Sequence, residues 1–184
     1  MFRATPLRNA LALGVVTVIV ALTGCAASPH VASTSHNSAD SVFIRYMMVH
    51  HGRALQLGQL ASTRGADPRV RAFGSRIVRE QTPEYQRLQS WVTTLGLTSN
   101  PTADSAMASG YVSDTSLAAL MKLSGPAFDK QVLLLSASSE TGAVTMAEAE
   151  LAGGTYKPAR ALATSIEGAK RTEIPELRKL AQKV

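Results

Sequence analysis

The sequence predicts an all-α domain: a four-helix bundle built from two repeated antiparallel helical hairpins joined by a long crossover. Three features lead there. Apolar residues recur at steps of three and four along four long segments. No segment alternates strictly between apolar and polar residues, and no hairpin dipeptide separates β-branched runs. Finally, a shift of 89 positions lays residues 40–88 over 129–177 without a gap. Asp40 then matches Asp129, Ala54 matches Ala143, Gly65 matches Gly154, Arg71 matches Arg160, Ile77 matches Ile166, Glu84 matches Glu173 and Leu88 matches Leu177.

The bundle domain is expected over residues 40–182. Asp40 is the expected N-cap of a first helix over about 40–64. Phe43, Met47, His50, Ala54, Leu57 and Ala61 form one apolar stripe, and Ile44, Met48, His51 and Leu55 lie beside it. Gly65 ends this helix. Asp67-Pro68 starts the next, with Asp as cap and Pro in the first turn. It reads to about Leu95, with Val70, Phe73, Ile77, Leu88, Trp91 and Val92 inward and a kink expected at Pro83. Residues 96–114 are loop-like, with Gly96, Asn100-Pro101 and Ser109-Gly110, and serve as the crossover. Asp114 caps a short helix over about 115–123, and Ser124-Gly125-Pro126 breaks the chain. A further long helix over about 126–152 carries Phe128, Val132, Leu135, Ala143 and Met146 inward, closed by Gly153-Gly154. The last helix, from about Lys157 to Ala181, turns Leu162, Ile166, Ile174 and Leu177 inward and holds a second kink at Pro175.

Residues 1–24 read as a signal peptide. Arg3 and Arg8 precede an apolar run over residues 10–22 that is short for a membrane span. Leu22-Thr23-Gly24-Cys25 then resembles the lipobox of bacterial lipoproteins, whose cysteine is lipidated and becomes the mature N-terminus. Cys25 is the only cysteine, which excludes an intramolecular disulfide and a thiolate metal cluster. Residues 25–39 are the lipidated cysteine and a flexible tether reaching on the order of 20 Å, with His30 and His36 as solvated linker residues. The expected address is the cell membrane or envelope on the extracytoplasmic side, held by lipid. Loss of residues 1–24 removes two arginines and no acid, so the formal charge falls from +6 to +4. The remaining cations are scattered along helices, and one Trp and four Phe offer little stacking. Nucleic acid is therefore not an expected partner.

The candidate chemistry lies on the first hairpin. Folding it about Ala66 sets His51 level with Gln81 and Met48 level with Glu84. Met47, Met48, His50, His51 and Glu84 form the candidate metal set, with Gln81 or Glu84 steadying an imidazole from outside. Thioether with imidazole suits Cu(I), and imidazole with carboxylate suits Cu(II) or Zn(II). In the second hairpin the histidines are matched by Ser139 and Glu140. Glu140 stands level with Lys170, and the two read as a salt bridge in a degenerate second site that also includes Glu173. Other readings stand beside these. A histidine pair on an apolar face also serves as hydrogen-bonded packing, and methionines fill cores. Glu84 and Glu173, present in both halves, form either a shared carboxylate site or caps for backbone groups freed by Pro83 and Pro175.

Several motifs recur in a known order: Asp40, Phe43, Met47-Met48-Val49-His50-His51 and Ala54; Glu80-Gln81, Glu84, Trp91 and Gly96; Gly125 and Phe128-Asp129; Gly142-Ala143 and Met146-Ala147-Glu148; Glu173-Ile174. In this the chain resembles the bacterial family catalogued as domain of unknown function 305, over nearly all of residues 40–180. The resemblance implies a ferritin-like bundle, secretion or membrane attachment, and copper handling through Met and His side chains. It also exposes departures. Ser139-Glu140 stands where the family usually has a second His-His pair, and Lys170 where it usually has Gln. Leu57, Leu88, Tyr111 and Leu177 replace methionines common in the family.

An enzyme is not expected. No Glu has a His three positions on, as di-iron bundles require. There is no Gly-x-Ser-x-Gly, phosphate loop or catalytic cysteine. The leading expectation is a lipid-anchored bundle that binds a metal, copper first, for storage or delivery. The competing one is a degenerate lipoprotein that binds no metal and contacts an envelope protein.

Overall fold

The computed structural model describes Met1 and residues 35–184. Cys25, His30, most of the expected tether and, apart from Met1, the segment read as a signal peptide lie outside the described residues. Six helices and no strands occur among them: α1 (Ser38–Arg64), α2 (Pro68–Thr94), α3 (Pro101–Met107), α4 (Asp114–Met121), α5 (Gly125–Gly153) and α6 (Lys157–Ala181). No described helix is long and apolar enough to cross a membrane.

α1 packs along α2 and α5 along α6, and the two pairs meet chiefly through α1 and α5. Three residues, 65–67, join α1 to α2, which forces close antiparallel packing. The N-cap of α2 is Asp67, whose side chain accepts from Arg69 N at 2.7 Å, and Pro68 opens the helix. α1 differs from expectation at its start. Its N-cap is Asn37, and Asp40 is the third helical residue of a capping box in which each side chain takes the other's amide, at 2.7 and 3.1 Å. The crossover also differs, because α3 lies within residues expected to be loop. Asn100 caps it by accepting from Ala103 N, and Pro101 occupies its first turn. α2 and α6 run through Pro83 and Pro175 as single helices. Both prolines are exposed, so a carbonyl that loses its amide partner there meets water. Val92, Leu135 and Ile174, expected inward, are half-buried.

The apolar interior divides in two. One cluster holds Phe43, Ile44, Met47, Leu88, Trp91, Ala147, Leu162 and Ile166. The other holds Leu57, Val70, Phe73, Ile77, Leu120, Phe128, Val132, Leu133 and Leu177. Along each long helix, buried polar residues lie between the stretches that feed the two clusters: His50 and His51 on α1, Gln81 on α2, Ser136, Ser139 and Glu140 on α5, Lys170 and Glu173 on α6. This polar layer crosses the middle of the packed helices.

The repeat reappears as exchanged contacts. Asp40 accepts from the amides of Thr155 and Tyr156, both at 2.9 Å. Its mate Asp129 accepts from Ala66 and Asp67, the mates of those two residues, at 2.9 and 2.6 Å. Each helix pair therefore locks the turn of the other. Arg71 donates to Gly65 O, and its mate Arg160 donates to Gly154 O. Such reciprocity relates the two halves by an approximate two-fold axis. The axis needs close approach on the crossover side. Gly110, with φ of 69°, lies against Gly142, and a Cβ on Gly142 would collide with the backbone of Ser109 and Gly110.

Candidate functional site

His50 and its repeat mate Ser139 touch, so they lie beside the two-fold axis. His50 Nε2 is 2.9 Å from both the carbonyl oxygen and the hydroxyl of Ser139. A carbonyl only accepts, so Nε2 carries the proton and donates to it. Nδ1 then bears the lone pair. His51 repeats this arrangement on the other side. Its Nε2 donates to Glu84 Oε2 at 2.9 Å, so the neutral form of this ring carries its lone pair on Nδ1. The two rings are 6.0 Å apart, tilted by 53°, and only 2% and 1% exposed.

Both Nδ1 atoms are buried without a hydrogen-bond partner. So are Gln81 Oε1 and Glu140 Oε2. All four residues line a single cavity together with Ser136, Ser139 and Lys170. Its free volume is about 10 Å³, room for one water-sized sphere. Burial, the neighbouring His51 and the Lys170 ammonium lower the His50 pKa to about 3, so its ring is neutral at pH 7.

Opposite the histidines sits a buried charge cluster. Lys170 Nζ donates to Glu140 Oε1 at 3.2 Å and to Glu173 Oε2 at 2.8 Å. Arg76 donates to the other Glu173 oxygen. Burial raises the Glu140 pKa, against the pull of Lys170, to about 8. The Lys170 ammonium is disfavoured by burial, yet Glu140 and Glu173 hold its pKa above the usual lysine value. Burial would raise Glu173, but Lys170 and Arg76 keep it below the ordinary carboxylate range.

The repeat explains this composition. His51, Gln81 and Glu84 on one side are matched by Glu140, Lys170 and Glu173 on the other. The expected Glu140–Lys170 bridge forms, and Glu173 joins it. Glu84 and Glu173 bind side chains, a histidine and two cations, in place of either expected alternative, a shared carboxylate site or caps for proline-freed backbone. The degenerate residues do not form a separate second site. Both halves face one cavity because they meet at the axis. Met47 is fully buried in the cluster with Phe43 and Trp91, and Met48 packs half-buried against it. Neither lines the cavity: Met47, three and four positions before the histidines, lies about one helical turn, roughly 5 Å, along the axis, and Met48 packs against the apolar cluster. Glu84 holds His51 from behind without lining the cavity. Among the described residues no group of three or more His, Cys, Asp or Glu side chains is arranged to hold a metal ion. Ser139, expected only as part of the degenerate site, is the partner that orients His50; its position 89 residues further on is the signal that the two would meet.

A family model described as domain of unknown function (DUF305) matches residues 40–181. No curated protein matches the chain. Among solved structures, a DUF305 protein from Streptomyces coelicolor superposes with a TM-score of 0.71 at 25% identity, covering 78% of this chain and 91% of that one. A DUF305 fragment from Deinococcus radiodurans gives 0.71 at 22% identity, covering 80% and 98%. CopM in its Cu(I)-bound form gives 0.66 at 20% identity, covering 78% and 96%. Its Cu(II)-bound form gives 0.66 at 19% identity over the same shares of the two chains.

Proposed function

The chain belongs to the DUF305 family, and from that premise we propose that it is a lipid-anchored, extracytoplasmic four-helix bundle of two hairpins that binds copper as cargo. It is a binder and not an enzyme. One observation supports the reading: both histidines are fixed through Nε2 by oxygen acceptors, and their Nδ1 atoms are buried without a hydrogen-bond partner on two residues that line one cavity. Metal-binding imidazoles are held in this way, with the far nitrogen donating to a carboxylate or carbonyl that sets ring and tautomer. An empty buried acceptor is costly, and a cation relieves two at once. His50 and His51 would be the ligands. Ser139 and Glu84 orient them, and Gln81 offers an amide oxygen. Met47 and Met48 shape the apolar wall one turn away. The copper-bound forms of CopM, a fold relative, support copper as the first ion to test.

The competing reading is a metal-free lipoprotein scaffold that contacts an envelope protein. The buried Lys170 ammonium favours it, because a fixed cation already stands in the polar layer. Metal analysis separates the two. The full chain and a His50→Ala, His51→Ala double variant are equilibrated with Cu(I) and dialysed, with folding checked by circular dichroism. One copper per wild-type chain and none in the folded variant is the expected result. Equal copper in both abandons the metal reading.

A further inference from the structure

Resting on that metal reading, we infer that ions enter the His50–His51 cavity through the seam between α2 and α6, with the Phe73 ring as the gate and the Arg76–Glu173 ion pair as its latch.

The cavity is closed. Its histidines are almost fully buried, and its free volume holds one water-sized sphere. A hydrated ion enters only if a wall moves. The walls differ in what holds them. The seam between α1 and α5 is fixed at both ends by Asp40 and Asp129, each bound to the turn of the other helix pair. The crossover covers that seam, with Gly110 against Gly142 of α5 and Tyr111 accepting from Arg53 of α1. By contrast, α2 and α6 scarcely approach each other. Each also carries an interior proline beside the polar layer, Pro83 two residues past Gln81 and Pro175 two past Glu173, and so lacks one backbone hydrogen bond there.

A surface groove of about 630 Å³ runs between these two helices. Phe73 lines both this groove and the cavity, so its ring is the partition between them. Three other surface grooves share no residue with the cavity. Arg76 holds the partition in place. Its guanidinium carbon lies 5.9 Å from the Phe73 ring centroid, within cation–π range, and it donates to Glu173 on α6. Glu173 in turn accepts from Lys170, a wall residue of the cavity, at 2.8 Å. Ring, guanidinium and carboxylate thus form one connection across the seam. Arg76 is 38% exposed, so its bond to Glu173 exchanges for water without unfolding of the helix pair. The repeat mates of Phe73 and Arg76 are Leu162 and Ser165, which supply neither ring nor charge, so the gate stands at one end of the seam.

Access is read without any metal by diethyl pyrocarbonate, which modifies neutral imidazole. Rates at His50 and His51 are followed by peptide mass spectrometry on the full chain, as wild type, Phe73→Ala, Phe73→Leu, Arg76→Gln and Leu57→Ala. Leu57 lines the cavity and none of the grooves, so its truncation weakens the core without touching the seam. Phe73→Ala and Arg76→Gln should each react faster than wild type by about tenfold or more. Phe73→Leu, which refills most of the space, and Leu57→Ala should stay near wild type. Arg76→Gln leaves the core intact and decides the matter if Phe73→Ala does not fold. Acceleration in Leu57→Ala as large as in the seam variants, or none in Arg76→Gln, overturns the gate and leaves the metal reading intact. Cu(I) uptake, timed on the same proteins, should follow the same order. A wild type that takes up no copper, with the reagent rates still in this order, overturns the metal reading and leaves the route into the cavity standing.

Discussion

Glu150, replaced by Gln, offers a sharp test of how burial sets charge in this molecule. Glu150 lies in the last turn of α5 and is 1% exposed, beside the Asp40 carboxyl group, which accepts from it when Glu150 is protonated. It packs over Gly154, where any added Cβ would strike its carboxyl group. Its repeat mate is Ala61, so the second pair of helices buries an acid where the first buries a methyl group. Burial, then the neighbouring Asp40 carboxylate, push the Glu150 pKa from 4.5 to about 8, against the opposing charge of Arg160. Asp40 itself is disfavoured by burial but held low by the amides it binds. The folded protein therefore keeps a proton on Glu150 that the unfolded chain releases above pH 4.5. Its contribution to stability is fully present below that pH and is lost progressively as the pH climbs toward 8. At pH 7 the loss amounts to about 3 kcal/mol, from 1.36 kcal/mol per unit between the unfolded pKa and the solution pH. Glutamine mimics the protonated carboxyl group at every pH. The assay is urea denaturation of wild type and Glu150→Gln at half-unit steps from pH 4.5 to 9. The two stabilities should nearly coincide at pH 4.5, with Gln ahead by about 3 kcal/mol at pH 7. A difference that stays constant with pH would mean that Glu150 is ionised and hydrated in the folded protein, and the reasoning would fail.

Three further outcomes follow from the same contacts. His50, with its pKa lowered from 6.5 to about 3, should contribute stability above pH 6.5 that disappears as the pH falls toward 3, and its ring resonances in NMR should stay fixed from pH 8 to 5; a titration centred near 6.5 would contradict the buried neutral ring. Asp40→Asn and Asp129→Asn should each cost about 2–4 kcal/mol in denaturant titrations, since each removes charged acceptance of two backbone amides across the halves; a cost for only one of them would break the two-fold equivalence. Gly142→Ala should cost about 1–3 kcal/mol, measured in the same way, because the crossover backbone occupies the space a methyl group needs.

Much of the fold is legible in the sequence because its signals are local. Asp67-Pro68 announces a helix start and the start is there, since a capping carboxylate followed by a proline has one favourable backbone arrangement. Asn100-Pro101 carries the same signal for α3, but the surrounding Gly and Ser favour a loop and mask it. At α1 the capping box makes the start ambiguous. Asn37 and Asp40 are both good caps, and Asp40 is free to serve as the third residue only because it also binds Thr155 and Tyr156 from the other helix pair. That second duty is invisible from neighbouring residues.

The sequence alone determined the helical periods, the 89-residue doubling and the level matching of His51 with Gln81 and of Glu140 with Lys170, because each depends on helix pitch and on distance from a turn. Tertiary packing decided the rest. Closing the two halves about an axis brought His50 onto its own mate Ser139, merged two notional sites into one cavity, left both Nδ1 atoms buried without a partner and packed the methionines into an apolar cluster. Those outcomes depend on side-chain direction and on contacts between distant segments, which no local spacing specifies.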